Sequence, residues 1–142
     1  MDFTWKIDNF SIFRDVIEQQ SVFTNEWRCK DLVHLKIVMK ANNGQLCFKV
    51  KIKPGKAATM INMKTGAYTT ACYVLSYRIA VMNAKQPSKT RWLTGKILTG
   101  EDYRDEEYMP LATLLDRESG FLQKDSITVQ LCVVDIVHYR EP

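Results

Sequence analysis

The sequence has few of the residues on which catalytic and metal sites are built. It contains two histidines, His34 and His138, and neither has a cysteine, serine or carboxylate at a spacing that suggests a triad or a metal site. The glycines are isolated, so the phosphate-cradling patterns GxGxxG and GxxxxGKS/T do not occur. The acids of residues 101–107 lack the order of a calcium-binding loop. These absences predict a protein that is not an enzyme and that holds no metal and no cofactor.

Zinc-type cysteine pairs and long apolar runs are also missing. The four cysteines lie 18, 25 and 60 residues apart, with no CxxC pair, and three of them lie in apolar runs where a thiol is usually a buried apolar group. No apolar run approaches the ~20 residues that span a bilayer, and no basic segment leads into an apolar stretch at the N-terminus. We therefore expect reduced thiols, no membrane segment, no signal peptide and a cytoplasmic or nuclear location.

What the sequence does contain is typical of one globular domain. Of its 142 residues, 46% are hydrophobic and 25% are charged, which is close to the average for soluble proteins. A chain of this length can bury about 70% of the surface that its unfolded form exposes. We expect a single domain over residues 1–142, with its core between about residues 3 and 137.

The charges are unevenly distributed along the chain. The net charge is only +4, but twelve Lys or Arg residues and no acid lie between Asp31 and Glu101. Either these charges are solvated faces that balance one another across the fold, or they form a basic surface for an acidic partner. Because the chain as a whole is only mildly basic, its charge does not favour nucleic-acid binding.

The dominant hydrophobic period is two, which is the period of a β-strand with one face on a core. Residues 32–40 and 45–53 both alternate in this way, and Asn43-Gly44 between them predicts a tight hairpin turn. The outward faces of the two strands would bring five lysines together: Lys36, Lys40, Lys49, Lys51 and Lys53. Like charges facing one another destabilise a sheet, so this cluster indicates a missing counter-charge.

Further segments complete an all-β pattern. Strands are predicted over residues 3–10, 73–82, 92–98 and 127–137, and the last is so apolar that it should be a central strand buried on both sides. Short helices are predicted at residues 13–20 and 110–115, and Pro54-Gly55 opens a long loop that runs to about Thr70. Seven or eight short strands with one or two short helices predict an antiparallel β-sandwich.

Five motifs in chain order resemble the MATH (meprin and TRAF homology, TRAF-like) domain family. They are Phe3–Ser11, Ser21–Phe23, Tyr77–Asn83, Gly100–Tyr103 and Gly120–Thr128. The resemblance covers nearly the whole chain and implies an eight-stranded antiparallel sandwich. It also implies a module that recognises a short linear peptide motif of a partner protein and recruits that partner to a ubiquitin-related or signalling assembly.

The resemblance further implies a peptide groove, which maps onto Lys36, Lys49, Tyr77, Gly95, Asp102, Tyr103, Arg104 and Asp105. The family's Asp-Trp-Gly-Phe segment becomes Asp102-Tyr103-Arg104-Asp105 here, with Tyr103 as the expected aromatic anchor. Strand alternation had already singled out Lys36 and Lys49, so two independent arguments meet at these residues. For Tyr77 the alternative is a packed position in the core.

The lysines predict the chemistry of the ligand and leave two other functions open. We expect an extended peptide with Asp, Glu or a phosphorylated Ser or Thr, its negative end towards the lysines and a neutral or basic end towards Asp102 and Asp105. One alternative is an oligomeric TRAF-type scaffold, although no heptad run occurs and a monomer is expected for these residues. The other is an anion surface for nucleic acid or acidic lipid, which lacks the aromatic residues that base stacking requires.

Overall fold

Two antiparallel sheets pack against each other in the computed structural model, which describes residues 1–55, 59–61, 63–100 and 105–139. This architecture confirms the predicted all-β antiparallel sandwich. The first sheet contains β1 (Asp2–Ile7), β8 (Tyr73–Val81), β9 (Leu93–Leu98) and β11 (Ile127–His138), in the spatial order β1-β11-β8-β9. The second contains β2 (Val22–Phe23), β3 (Trp27–Cys29), β4 (Val33–Asn42), β5 (Gln45–Pro54) and β10 (Glu106–Pro110), in the order β10-β5-β4-β2, with β3 also paired to β4.

Smaller elements connect the strands of the two sheets. Helix α1 spans Phe10–Ile17, helix α2 spans Leu111–Leu115, and a single 3-10 turn spans Pro87–Lys89. The long loop that follows Pro54 contains two short strands, β6 (Thr59–Ile61) and β7 (Tyr68–Thr70), which pair with each other in a two-stranded ribbon. This ribbon was not predicted, because three-residue strands are too short to show a period.

The second sheet is built on the predicted hairpin. β4 and β5 pair in register from Val33 opposite Pro54 to Asn42 opposite Gln45. Asn43 and Gly44 have positive φ angles of 51° and 75°, the left-handed conformation that a tight hairpin turn requires. All eight predicted inward side chains are buried: Val33, Leu35, Ile37, Met39, Leu46, Phe48, Val50 and Ile52.

Tyr108 connects the two sheets through the core. It is 1% exposed and lies at a bulge in β10, between Glu107 and Met109. Its hydroxyl accepts a hydrogen bond from the Val81 N–H of β8 at 3.1 Å and donates one to the carbonyl of Arg91. Burial raises the pKa of this phenol above its ordinary value, so the hydroxyl keeps the proton that it donates.

Several predicted boundaries are wrong by a few residues. β1 ends at Ile7 and not at Phe10, because Asn9 adopts a left-handed conformation with φ 55° and α1 begins at Phe10. β11 is a central strand as predicted, but it is not buried on both sides along its whole length. Val134, in a bulge of β11, is 68% exposed, since none of the described residues covers the outer face of the first sheet there.

Three of the four cysteines are buried, which is usual for thiols in apolar runs. All four cysteines lie in the described ranges as free thiols, with Cys29, Cys47 and Cys132 buried and Cys72 exposed. Burial is the main reason that the pKa values of the three buried thiols are raised, so their reactive thiolate forms are suppressed. Among the described residues, no helix is long and apolar enough to cross a membrane.

Candidate functional site

The outer face of the β4–β5 hairpin carries six basic side chains, which we call the basic face: His34, Lys36, Lys40, Lys49, Lys51 and Lys53. The register places Lys36 directly opposite Lys51, His34 opposite Lys53 and Lys49 opposite Val38. The structure therefore brings together Lys36 and Lys49, the two groove residues that alternation and family resemblance both indicated. Directly opposed cations in a sheet repel each other, so this face stores unfavourable electrostatic energy unless anions neutralise it.

Two acids from outside the hairpin neutralise its ends. Glu26 accepts from the Lys53 ammonium at 2.6 Å and lies 3.6 Å from His34, while Asp105 accepts from the Lys40 ammonium at 2.9 Å. The hydrogen bond from Lys53 is the largest cause of a lowered pKa for Glu26, and the one to Asp105 is the largest cause of a raised pKa for Lys40. Both shifts favour the charged forms of these groups.

Among the described residues, no acid forms an ion pair with the two lysines that face each other at the centre of the basic face. Neither Lys36 nor Lys51 forms an ion pair within the described part of the chain, and Lys51 is exposed. The Lys36 ammonium lies instead 4.5 Å from the ring centroid of Phe23, a distance typical of a cation–π contact. Positive charge is therefore concentrated around Lys36 and Lys51, between the two neutralised ends.

A shallow cavity of about 190 Å³ opens on the same face. Its lining is formed by Glu26, His34, Leu35, Lys36, Lys51, Ile52 and Lys53. This volume is below the ~300 Å³ at which pockets begin to enclose a small-molecule ligand. A single side chain of a peptide, such as a carboxylate or a phosphorylated hydroxyl, fits these dimensions better than a whole small molecule.

Tyr77 and Gly95 lie on the other sheet, opposite each other on β8 and β9. Tyr77 is 9% exposed and belongs to the hydrophobic core, which is the alternative that the sequence left open for it. A Cβ atom added at Gly95 would lie 2.6 Å from the Tyr77 hydroxyl oxygen, so the tyrosine covers the glycine and no larger residue fits there without a shift. The two residues contact each other, but on a different sheet from Lys36 and Lys49.

The predicted aromatic segment is described only at its end. Asp105 joins the basic face through its ion pair with Lys40. Asp102, Tyr103 and Arg104 lie outside the described residues. The role of Tyr103 as an aromatic anchor therefore stays a prediction.

Phe23 and Glu26 border the basic face, and sequence reasoning assigned neither of them to the site. Phe23 lies in β2, pairs with Val38 and is 62% exposed. The sequence did contain one indication of an apolar contact here, because Val38 is an apolar residue at an outward position of an otherwise basic strand face. In the described ranges, no group of three or more His, Cys, Asp or Glu side chains is placed to hold a metal ion.

Comparisons with known proteins agree with this architecture. No protein-family model and no curated protein matches the sequence. Among solved structures, TRAF5 of Notothenia coriiceps superposes with a TM-score of 0.65 over 99% of this chain and 76% of its own, at 13% sequence identity. The fold is TRAF-like. At this level of identity the similarity concerns the fold, and the site has to be argued from the residues of this chain.

Proposed function

We propose that the protein is a non-enzymatic recognition module that binds an extended, acidic or phosphorylated segment of a partner protein on the basic face. The observation that carries the proposal is the pair Lys36 and Lys51, which face each other at the centre of that face without a counter-ion in the described part of the chain. An anionic ligand would supply the missing charge and relieve their repulsion. The TRAF-like fold supports an interaction module in general.

The strength of the charge contacts limits what they can do. An exposed lysine–carboxylate pair contributes about 0.2–1 kcal/mol, so these lysines would tune affinity and speed association without dominating binding. A phosphorylated Ser or Thr would do more, because it carries nearly two negative charges and three acceptor oxygens. Hydrogen bonds to an extended backbone and contacts to alternate side chains would supply the rest.

The distribution of acids gives the ligand a direction. Its negative part would lie over Lys36, Lys49 and Lys51, and a neutral or basic part would lie towards Asp105. From the family resemblance we further propose that the partner is recruited to a ubiquitin-related or signalling assembly in the cytoplasm or nucleus.

The test compares two double variants that change the net charge equally. Lys36→Glu with Lys49→Glu reverses charge on the basic face, while Lys89→Glu with Lys96→Glu does so at exposed lysines elsewhere. Binding of acidic, phosphorylated and neutralised peptide pools is followed by fluorescence anisotropy at low and high salt. We expect the first variant to bind acidic peptides at least about tenfold more weakly at low salt, and the control to stay within about twofold of the parent.

The proposal fails under either of two results. One is a parent protein that binds acidic and neutralised peptides equally well. The other is a Lys36→Glu, Lys49→Glu variant that binds acidic peptides as well as the parent, with no effect of salt. Either result would leave the basic face as a solvated surface.

A further inference from the structure

An apolar row crosses the basic face beside Lys36 and Lys51, which form no ion pair among the described residues. Phe23 of β2 lies opposite Val38 of β4, and Val38 in turn lies opposite Lys49 of β5. Val38 is 8% exposed, whereas the Phe23 ring is 62% exposed. A single exposed apolar residue is ordinary on a protein surface. This one continues an apolar row and is bordered by cations, which is a combination that a ligand can recognise.

The spacing of this row from the charged row is fixed by strand geometry. Lys36 and Val38 are consecutive outward positions on β4, so the row of Lys36 and Lys51 lies ~6.6–6.8 Å from the row of Phe23 and Val38. An extended peptide that lies along the strands presents every second side chain to the sheet at the same spacing. Its side chains at positions n and n+2 can therefore match one row each.

Lys36 lies in the charged row, and its side chain also contacts Phe23 of the apolar row. Its ammonium lies 4.5 Å from the Phe23 ring centroid. Together with Lys51, Lys36 also lines the shallow cavity of about 190 Å³. The cation–π contact holds the long lysine side chain near the ring and reduces the conformational freedom that it would lose on binding an anion. A carboxylate at the cavity and an apolar side chain on Phe23 would thus bind next to each other.

We infer that the ligand of the basic face carries a bulky apolar residue two positions from its acidic or phosphorylated residue. This inference rests on the proposed function and specifies its ligand class. The acidic residue binds between Lys36 and Lys51, and the apolar residue packs on Phe23 and Val38. Charge complementarity with the lysines selects the acid, and removal of the Phe23 ring from water selects the apolar residue.

The test uses synthetic peptides in a Gly-Ser background and isotope-labelled full chain. The peptides contain Asp-Ser-Leu, Asp-Ser-Ala, Asp-Ser-Ser-Leu or Ser-Ser-Leu, and binding is followed by NMR titration, which measures weak affinities and locates the shifts. We expect Asp-Ser-Leu to bind about five- to tenfold more tightly than Asp-Ser-Ala, as partial burial of a leucine side chain predicts. The largest changes in chemical shift should occur at Phe23, Lys36 and Val38.

Two variants separate the apolar contact from the charge contact. In Phe23→Ala the preference for Leu over Ala should fall to about twofold or less, while the salt dependence of binding stays that of the parent. Ile12→Ala removes an exposed apolar side chain from α1 and serves as the matched control, with the preference retained. The peptide comparison on the parent protein needs no variant, so the inference stays testable even if a substitution impairs folding.

The outcomes distinguish this inference from the proposal on which it rests. Failure of every Asp-containing peptide to bind more tightly than Ser-Ser-Leu overturns the proposed function. Binding of Asp peptides with equal affinity for Leu and Ala, or a Leu preference that survives Phe23→Ala, overturns the inference alone. Equal binding of Asp-Ser-Leu and Asp-Ser-Ser-Leu also overturns it, because the two-residue spacing would then carry no information.

Discussion

Tyr108 provides a polar connection between the two sheets. Its ring packs edge-on against Phe48 with the centroids 5.4 Å apart, and its hydroxyl bridges the Val81 N–H and the Arg91 carbonyl. The hydrogen bond to the Val81 N–H is buried, so this amide depends on the Tyr108 hydroxyl for a partner. The residue therefore fixes how β10, and with it one edge of the second sheet, sits against β8.

Tyr108→Phe should destabilise the fold without leaving a large cavity. The change removes one oxygen and leaves the Val81 N–H unsatisfied in the core, which costs about 1–3 kcal/mol of unfolding free energy. Chemical denaturation followed by circular dichroism measures the loss. Tyr139→Phe removes a hydroxyl at an exposed position and should change stability by no more than about 0.5 kcal/mol. Equal stability of parent and Tyr108→Phe would contradict the role assigned to the hydroxyl.

Residues on the β4–β5 hairpin could be assigned from sequence because alternation and a two-residue turn determine which face each side chain occupies. Lys36 and Lys49 were found in this way. Phe23 and Glu26 reach the same face only through the pairing of β2 and β3 with β4. Such pairing depends on tertiary packing, which the local pattern of a two- or three-residue strand does not reveal.

The start of helix α1 also depends on tertiary contacts that its local sequence does not reveal. Asn9 precedes the helix and makes no side-chain cap hydrogen bond to a described residue. The Asp125 carboxylate instead accepts from the Ser11 N–H at 2.9 Å and the Ser11 hydroxyl at 2.7 Å, and its backbone carbonyl accepts from the Phe10 N–H at 2.8 Å. The cap comes from a residue 114 positions away, so the start of α1 could not be located from its own sequence.

Asp125→Ala should loosen the start of α1. Loss of the capping carboxylate costs about 0.5–2 kcal/mol. An alanine at the positive φ of 61° adds about 1–2 kcal/mol of backbone strain. Asp125→Asn is the control, because Asn tolerates this conformation and keeps a carbonyl acceptor. Thermal melting ranks the three proteins, and hydrogen exchange at the Phe10 and Ser11 amides shows where the loss occurs.

An Asp125→Asn variant that melted as low as Asp125→Ala would contradict this role for Asp125. Hydrogen exchange at the Phe10 and Ser11 amides of Asp125→Ala that stayed as slow as in the parent would also contradict it.

Long periodic strands such as β4, β5 and β8 could be predicted from their sequence, whereas β2, β3 and β10 are two to five residues long and were missed. Elements of that length exist because neighbouring strands hold them, and their own composition contributes little.

At the scale of the whole molecule, the fold redistributes charges that the sequence segregates. The acid-free segment between Asp31 and Glu101 obtains its described ion pairs from its flanks: Lys53 with Glu26, Lys40 with Asp105 and Lys85 with Glu118. Balance across the fold is therefore observed in part, and a basic surface for an acidic partner stays a proposal. The edges of the basic segment are balanced within the fold, while Lys36 and Lys51 at its centre have no ion pair among the described residues.

Glu26 is the residue through which this balance can be tested. Its pKa is lowered from the ordinary value of 4.5, chiefly by the hydrogen bond from Lys53. A lowered pKa means that the charged form contributes stability above pH 4.5, and that the contribution is lost as the pH falls through the pKa of the folded state. Glu26→Gln should therefore melt below the parent at neutral pH, and the difference should close at acidic pH, where Glu26 is itself uncharged.

The same substitution should strengthen the binding of acidic peptides, because it releases Lys53 and removes a negative charge from the edge of the cavity. We expect a gain of about two- to fivefold at low salt that disappears at high salt. Glu118→Gln makes the same charge change at the ion pair with Lys85 and should leave peptide binding unchanged. A melting difference that persisted at acidic pH would assign the stability effect to packing, and equal gains from both variants would make the effect one of net charge and not of the basic face.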